Sequence, residues 1–267
     1  MTWTRDPPTS CTARVLQWGM WDDLEMDVRE LGLLRVRSIV KTSGTTPKNA
    51  AHGPLTVVLM HGYGAPGDDL VSLAGAVDAP NGTTFLFPEA PLVLSDPRMG
   101  GDARAWWPID VGRYERAIRQ GTIEQLIKDE PEGMSASSDA VGAMLDALDQ
   151  ETTSSSRRIV LGGFSQGAML AMDVALRTKR PLAGLAILSG TLLAASRWAA
   201  CLPDRKGLHV FQSHGTEDPL LPFAVAERLR HLLDDGGLEV SFTQFEGGHG
   251  IPPSVMRDLG QFLHQLP

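Results

Sequence analysis

A serine set between two glycines is where this chain could do chemistry. Gly163-Phe164-Ser165-Gln166-Gly167 follows the short apolar run Arg158 to Gly162 and precedes Ala168 to Leu176, which holds neither proline nor glycine. Strand, Gly-x-Ser-x-Gly, helix is the context of a nucleophile elbow, a turn so tight that side chains must be nearly absent on both flanks of the serine. Such a turn lifts the Ser165 hydroxyl above the sheet edge and aims a helix N-terminus at the reacting oxygen. The pentapeptide alone is a weak signal, because a glycine-rich turn with an incidental serine reads the same. Its partners decide.

A serine hydroxyl is a poor nucleophile near neutral pH and needs a base that an acid holds in place. With this elbow the chain order is Ser, then Asp or Glu, then His. Ser213-His214-Gly215-Thr216-Glu217-Asp218-Pro219 follows the apolar run Leu208 to Phe211. Its acid would lie past a strand's C-terminal end, where open α/β sheets keep their active sites. Glu246-Gly247-Gly248-His249-Gly250 takes the same place one strand later, after the alternating run Val240 to Phe245. His249 is therefore the expected base. His209 falls within a strand, His231 and His264 on wet helix faces, and His214 before the acid, against the order. Asp218 is preferred to its neighbour Glu217 because Pro219 reads as the opening of the next helix. Asp204 lies at the wrong end of its strand. The histidines stand on separate loops without a paired Cys or Glu at zinc spacing, so no metal site is expected.

The third requirement is an oxyanion hole. Thr56 to Met60 is a buried strand by its β-branched apolar run and ends in His61-Gly62-Tyr63-Gly64. A glycine-rich loop at that place presents one backbone N–H, and the residue after the nucleophile presents another. The expected donors are the amides of Tyr63 and Gln166. His61 itself is read as a prop for the loop and not as a proton carrier.

These segments carry a resemblance. His61-Gly62-Tyr63-Gly64, Pro88-Glu89-Ala90-Pro91, Ala105-Trp106-Trp107, Gly163 to Ala168, Leu188-Ser189-Gly190, His214 to Pro219 and Gly248-His249 occur in that order. The series resembles the phospholipase/carboxylesterase family of α/β-hydrolases, which includes acyl-protein thioesterases and bacterial carboxylesterases. The resemblance runs from about Leu55 to the C-terminus. It implies the α/β-hydrolase fold, Ser165, Asp218 and His249 as the triad, an acyl groove near the tryptophan loop, and no cofactor. Trp106 and Trp107 are consecutive, so on an extended loop they face opposite ways. One is expected in the core and the other over Ser165. Leu92, Val93, Leu192, Leu221 and Ile251, each in a loop just beyond a strand end or triad residue, are the further expected wall residues.

The elements that must position these residues alternate between strand and helix patterns, which indicates a mostly parallel sheet with helices on both faces. Expected strands are Leu33–Val40, Leu55–Met60, Thr84–Phe87, Arg158–Gly162, Ala183–Leu188, Leu208–Gln212 and Glu239–Phe245, the first at an antiparallel edge. Val141, Met144, Leu145 and Leu148 recur on one helical face, as do Val225, Leu229, Leu232 and Leu233, with Gly236 as the stop. Val255, Leu259, Phe262 and Leu266 mark a closing helix. The whole chain, 1–267, reads as a single domain. It carries an N-terminal extension with the edge strand over 1–50 and a lid or groove insert over 101–133. In that insert Ile118, Ile123, Leu126 and Ile127 give one helical face across Arg113–Glu130. Segments 41–49 and 151–156 read as polar connections.

Composition sets outer bounds. Lysine and arginine number 24 and aspartate and glutamate 32, for a net charge of −8, with no basic stripe. Nucleic acid and anionic membranes are poor partners for such a surface. Cys11 and Cys201 are too few for a disulfide scaffold and read as free thiols in a reducing compartment. The first residues lack an apolar core of signal-peptide length, and no stretch is long enough to span a bilayer, so the expected location is the cytoplasm. The reading is a serine hydrolase acting on carboxylic esters or thioesters of small acyl compounds. Its alternative within the class is an acyl-protein or lysophospholipid (thio)esterase, and its rival from another class is a non-catalytic binder on the same scaffold. A homodimer is left open.

Overall fold

In the computed structural model, which describes residues 25–41, 53–95, 101–151 and 157–267, a hairpin of β1 (Met26–Leu31) and β2 (Leu34–Val40) precedes the apolar strand β3 (Leu55–Met60). A short helix α1 (Leu73–Ala76) and β4 (Thr84–Pro88) follow, then a two-stranded flap of β5 (Leu92–Val93) and β6 (Arg104–Ala105). Helices α2 (Val111–Gln120), α3 (Glu124–Lys128) and α4 (Met134–Gln150) lead to β7 (Arg158–Phe164). Thereafter helix and strand alternate as α5 (Gln166–Arg177), β8 (Gly184–Leu188), α6 (Ala195–Cys201), β9 (His209–Gly215), α7 (Phe223–Asp235), β10 (Glu239–Phe245) and α8 (Pro253–Gln265).

Eight strands form one sheet in the order β1-β2-β4-β3-β7-β8-β9-β10. Pairing is parallel from β4 through β10 and antiparallel only where β2 meets β1 and β4. The inner strands β3 and β8 are buried along their whole length, as strands covered on both faces must be apolar at every position. Apolar clusters fill both sides. One gathers Val141, Leu145, Leu170, Trp198 and Leu229 from α4 to α7, and the other gathers Leu73, Val255, Leu259 and Phe262 from α1 and α8. The stripes of α4, α7 and α8 are thus core, with only Leu232 among them partly buried, whereas in the insert Ile127 is buried and Ile118, Ile123 and Leu126 are half-buried.

The structure differs from the sequence reading in three places. The antiparallel strand expected at the edge is second in the sheet, and β1 covers its outer side. Within β1 only Leu31 is buried, so no apolar run marks it. The insert is not one helix: Gly121, at φ 66°, caps α2, and the chain turns before α3. Left-handed backbone is the ordinary means of ending a helix at glycine. Helix α7 does stop at Gly236, as expected, but with helical backbone there, and the left-handed residue is Gly237, at φ 82°. Most of the 1–50 extension and of the two polar connections falls outside the described residues.

Candidate active site

The elbow forms where β7 runs directly into α5. Ser165 sits between them at φ 55° and ψ −117°, a strained conformation for a residue with a Cβ and the expected one for a nucleophile elbow. Its amide donates to Leu188 O at 2.9 Å, and its carbonyl accepts from the amides of Ala168 and Met169. The flanking glycines are required by contact. A Cβ on Gly167 would lie 2.0 Å from Met60 O, and one on Gly163 would lie 2.4 Å from the Gly167 carbonyl carbon. β3 and the elbow therefore meet backbone to backbone.

Asp218 and His249 stand on the loops after β9 and β10, which are laced together by Thr216 N to Phe245 O and Glu217 N to Gly247 O, both 2.9 Å. His249 Nδ1 lies 2.7 Å from Asp218 Oδ2. The His249 ring is 4.8 Å, centroid to centroid, from Phe164, the residue before Ser165, so the three expected triad positions converge at one end of the sheet. The following carbonyl, Gly250 O, accepts from Ser189 Oγ at 3.0 Å, and Ser189 itself holds φ 48°. Asp218 Oδ1 accepts from the amides of Leu220 and Leu221, each at 2.9 Å. Burial alone would push this carboxyl up; hydrogen bonds from His214 and His249, with the His249 charge and the Leu221 amide, outweigh it and hold the carboxyl well below the usual carboxylate range. The expected reason for this residue needs correcting: α7 opens at Phe223 after Pro222, so Pro219 starts no helix. A side-chain turn onto Leu220 and Leu221 fixes Asp218 instead. Glu217 is exposed.

The loop after β3 is braced from several sides. His61 Nδ1 lies 2.9 Å from Gly62 O, while Ala90 N donates to His61 Nε2 at 3.1 Å. Burial lowers this histidine to about 4, so it is a neutral prop, as its sequence context suggests. Gly64 N donates to Arg104 O and Arg104 N to Ala65 O, which ties the loop to β6. Buried Glu89 in turn bridges Arg37 and Arg104, at 2.8 Å each. The Tyr63 amide sits within this braced turn. That of Gln166 opens α5, where the first N–H groups lack intrahelical acceptors.

The Gln166 side chain does something the motif did not announce. Its Oε1 accepts from Trp106 N at 2.9 Å and its Nε2 donates to Trp107 O at 2.8 Å, clamping the tryptophan loop to the nucleophile helix. Both tryptophans are buried, at 1% and 2% exposure, and Trp106 Nε1 donates to His61 O at 3.0 Å. The expected division, one ring inward and one at the groove, does not occur. With backbone groups of both residues held by one buried amide, the loop is pinned inward, and neither ring offers open surface to a ligand. Of the other wall candidates, Leu92 and Val93 are exposed on the flap, while Leu192, Leu221 and Ile251 are buried. A depression of about 300 Å³ lies along Phe245 to Pro252 and includes His249 and Ile251. A larger hollow of about 480 Å³, between Asp78 and the α8 residues Met256 and Gln261, contains no nucleophile and is set apart from this chemistry.

A serine at a strained strand–helix elbow, with a paired aspartate and histidine on loops after later strands of a mostly parallel sheet, is the arrangement of the α/β-hydrolases. The chain belongs to the phospholipase/carboxylesterase family, whose model matches residues 44–266, and is accordingly a serine hydrolase. It is 31% identical to acyl-protein thioesterase 1 of Aspergillus fumigatus, over 79% of this chain and 87% of that one. With acyl-protein thioesterase 1 of Emericella nidulans the identity is 30%, over 79% and 90%. In fold it is similar to a carboxylesterase from Mesorhizobium loti, with 16% identity, TM-score 0.63, and 90% of this chain and 99% of that one covered.

Proposed function

We propose that this hydrolase cleaves carboxylic esters through an acyl-enzyme formed on Ser165. The observation that carries the reading is the 2.7 Å hydrogen bond from His249 Nδ1 to buried Asp218, beside a serine in strained elbow geometry. Ser165 Oγ attacks the carbonyl as His249 Nε2 takes its proton; Asp218 fixes the imidazole tautomer and stabilises the cation that forms. The amides of Tyr63 and Gln166 hold the oxyanion, each donor worth roughly 3 kcal/mol in the transition state. His249 passes the proton to the leaving alkoxide, then activates water to release the acid and free serine. Exposed Leu92 and Val93, with Ile251 in the depression beside His249, are the proposed walls for the acyl chain, backed by buried Leu192 and Leu221.

Thioesters are the second reading, favoured by the fungal relatives named acyl-protein thioesterase 1 at 30% and 31% identity. The same acyl-enzyme serves both, with a thiolate leaving in place of an alkoxide. We infer a cytoplasmic setting, in keeping with Cys201 as a free thiol; among the described residues no helix is long and apolar enough to cross a membrane. A fluorophosphonate probe should label Ser165 and abolish turnover of p-nitrophenyl esters. An unlabelled, inactive protein would make this chain a binder on the hydrolase scaffold. Parallel oxyester and thioester series of matched chain length then separate the two substrate readings.

A further inference from the structure

His214, the last residue but one of β9, falls before the acid in the chain and has no place in the Ser–Asp–His order. The structure nevertheless turns it onto the same carboxylate. Its side chain is fully buried, and Nε2 lies 3.2 Å from Asp218 Oδ2 and 2.8 Å from Leu221 O. Both neighbours are acceptors, so the proton belongs on Nε2. Nδ1 is buried with no hydrogen-bond partner among the described residues; a proton there would have nothing to donate to. A leucine would fill this space without the bare Nδ1 but would strip Leu221 O and Asp218 Oδ2 of a donor, so what the imidazole supplies is its Nε2–H.

We propose that His214 is a positioning residue for the acid–base pair: its Nε2–H, shared between Asp218 Oδ2 and Leu221 O, fixes the carboxylate's direction toward His249 and sets how basic that carboxylate is. The proposal rests on the triad reading above. With Leu220 N and Leu221 N on Oδ1 and His214 on Oδ2, the carboxylate is held at both oxygens before His249 is counted. A donor on Oδ2 draws charge away from the bond to His249 Nδ1, so His249 gives up its proton more readily than beside an undiluted carboxylate. The titratable groups facing His214 are Asp218 and, through it, His249. Phe223 from α7 stands 6.3 Å from the ring, and Gln244 is opposite on β10; neither is charged.

The test compares His214→Gln, long enough to place an amide N–H near the Nε2 position, with His214→Asn, which ends near Nδ1 and cannot reach. Both are assayed on a short p-nitrophenyl ester, normalised by fluorophosphonate titration, as kcat and KM against pH. For His214→Asn, kcat should fall on the order of tenfold at unchanged KM, and the acidic limb should move up by about half to one pH unit. His214→Gln should restore both. Equal profiles for the two variants, whether both wild-type or both shifted, overturn the proposal. Where neither variant folds, ¹⁵N-resolved NMR of the wild-type histidines decides: an Nε2-bound proton on His214 is expected, and an Nδ1-bound one overturns it. Asp218→Asn runs beside them. If it is inactive while His214→Asn is wild-type, His214 loses its role and the triad stands; if it is active, the triad reading falls and the proposal with it.

Discussion

Two acids sit side by side after β9, and their surroundings separate them. Asp218 is buried and bonded to His249 at 2.7 Å, whereas Glu217 points to solvent. Asp218→Asn should therefore lower turnover on the order of 10⁴-fold by releasing the wrong imidazole tautomer, while Glu217→Gln stays within about threefold of wild type. Steady-state kinetics on one ester checks both, and reversed severities would move the acid to Glu217. Ser165→Ala should abolish turnover by several orders of magnitude without unfolding the protein, since Ser165 is held by its backbone; retention of more than a few per cent of activity would sink the nucleophile assignment. At this scale the candidate triad was legible because the elbow fixes the order in which its partners appear. The way Asp218 is fixed was not: a proline beside an acid looks like a helix start, whereas in the fold the acid's own Oδ1 makes the turn. Gln166, Glu89 and Ser189 were visible as letters but mute as side chains. Each acts on a partner far away in sequence, as Glu89 does on Arg37, 52 residues off, and no local pattern encodes such a pairing.

Elements place these residues by backbone contact, and glycines expose how tightly. Gly167→Ala would drive a methyl group to 2.0 Å from Met60 O, a backbone atom of β3. Neither strand nor helix can retreat without breaking the sheet or the elbow, so this variant should lose soluble protein or several kcal/mol of stability, on the scale of the severest point mutations. Gly142, inside α4, is the internal contrast: nothing lies within 4 Å of its added Cβ. Gly142→Ala should stabilise by about 1 kcal/mol through helix propensity. Chemical denaturation of the two tests the argument, and equal effects would show that close approach at the elbow is not what demands glycine. The strands and helical stripes were legible where burial on one or both faces imposes a period on the residues. β1 escaped because it buries almost nothing, and the α2–α3 break escaped because the apolar spacing continues across Gly121. The tryptophans turned out differently for a related reason: strand-like alternation predicts opposite faces only for an extended loop, and the Gln166 clamp fastens this one at two backbone atoms. Truncating Trp106 to alanine should thus cost about 3–5 kcal/mol of stability without a change in acyl-chain preference. A shifted chain-length optimum at unaltered stability would return Trp106 to the groove.

The bracing of the oxyanion loop links the site to the stability of the entire molecule through one proton. His61 is neutral in the folded protein because burial holds it at about 4, against 6.5 in the exposed chain. Between those values the unfolded state binds a proton that the folded state does not, so stability rises with pH across the window. The contribution is complete above pH 6.5, declines as pH falls, and is fully lost below about 4; in all it amounts to roughly 3 kcal/mol. Asp218, held below the usual carboxylate range, acts with the same sign but in a more acidic window, losing its contribution only as pH falls beneath 3.8 toward its folded value. The two are therefore separable. From pH 7.5 to 5 the wild-type unfolding free energy should drop by about 2 kcal/mol on account of His61. Asparagine at 61 can still donate to Gly62 O but does not titrate, so His61→Asn should be less stable than wild type at pH 7.5 and close most of that gap by pH 5. Urea denaturation of wild type and His61→Asn at the two pH values measures the difference directly. Parallel losses in wild type and His61→Asn would mean that His61 is not the group that titrates, and that the oxyanion loop is braced by the Glu89–Arg104 bridge without help from a neutral imidazole.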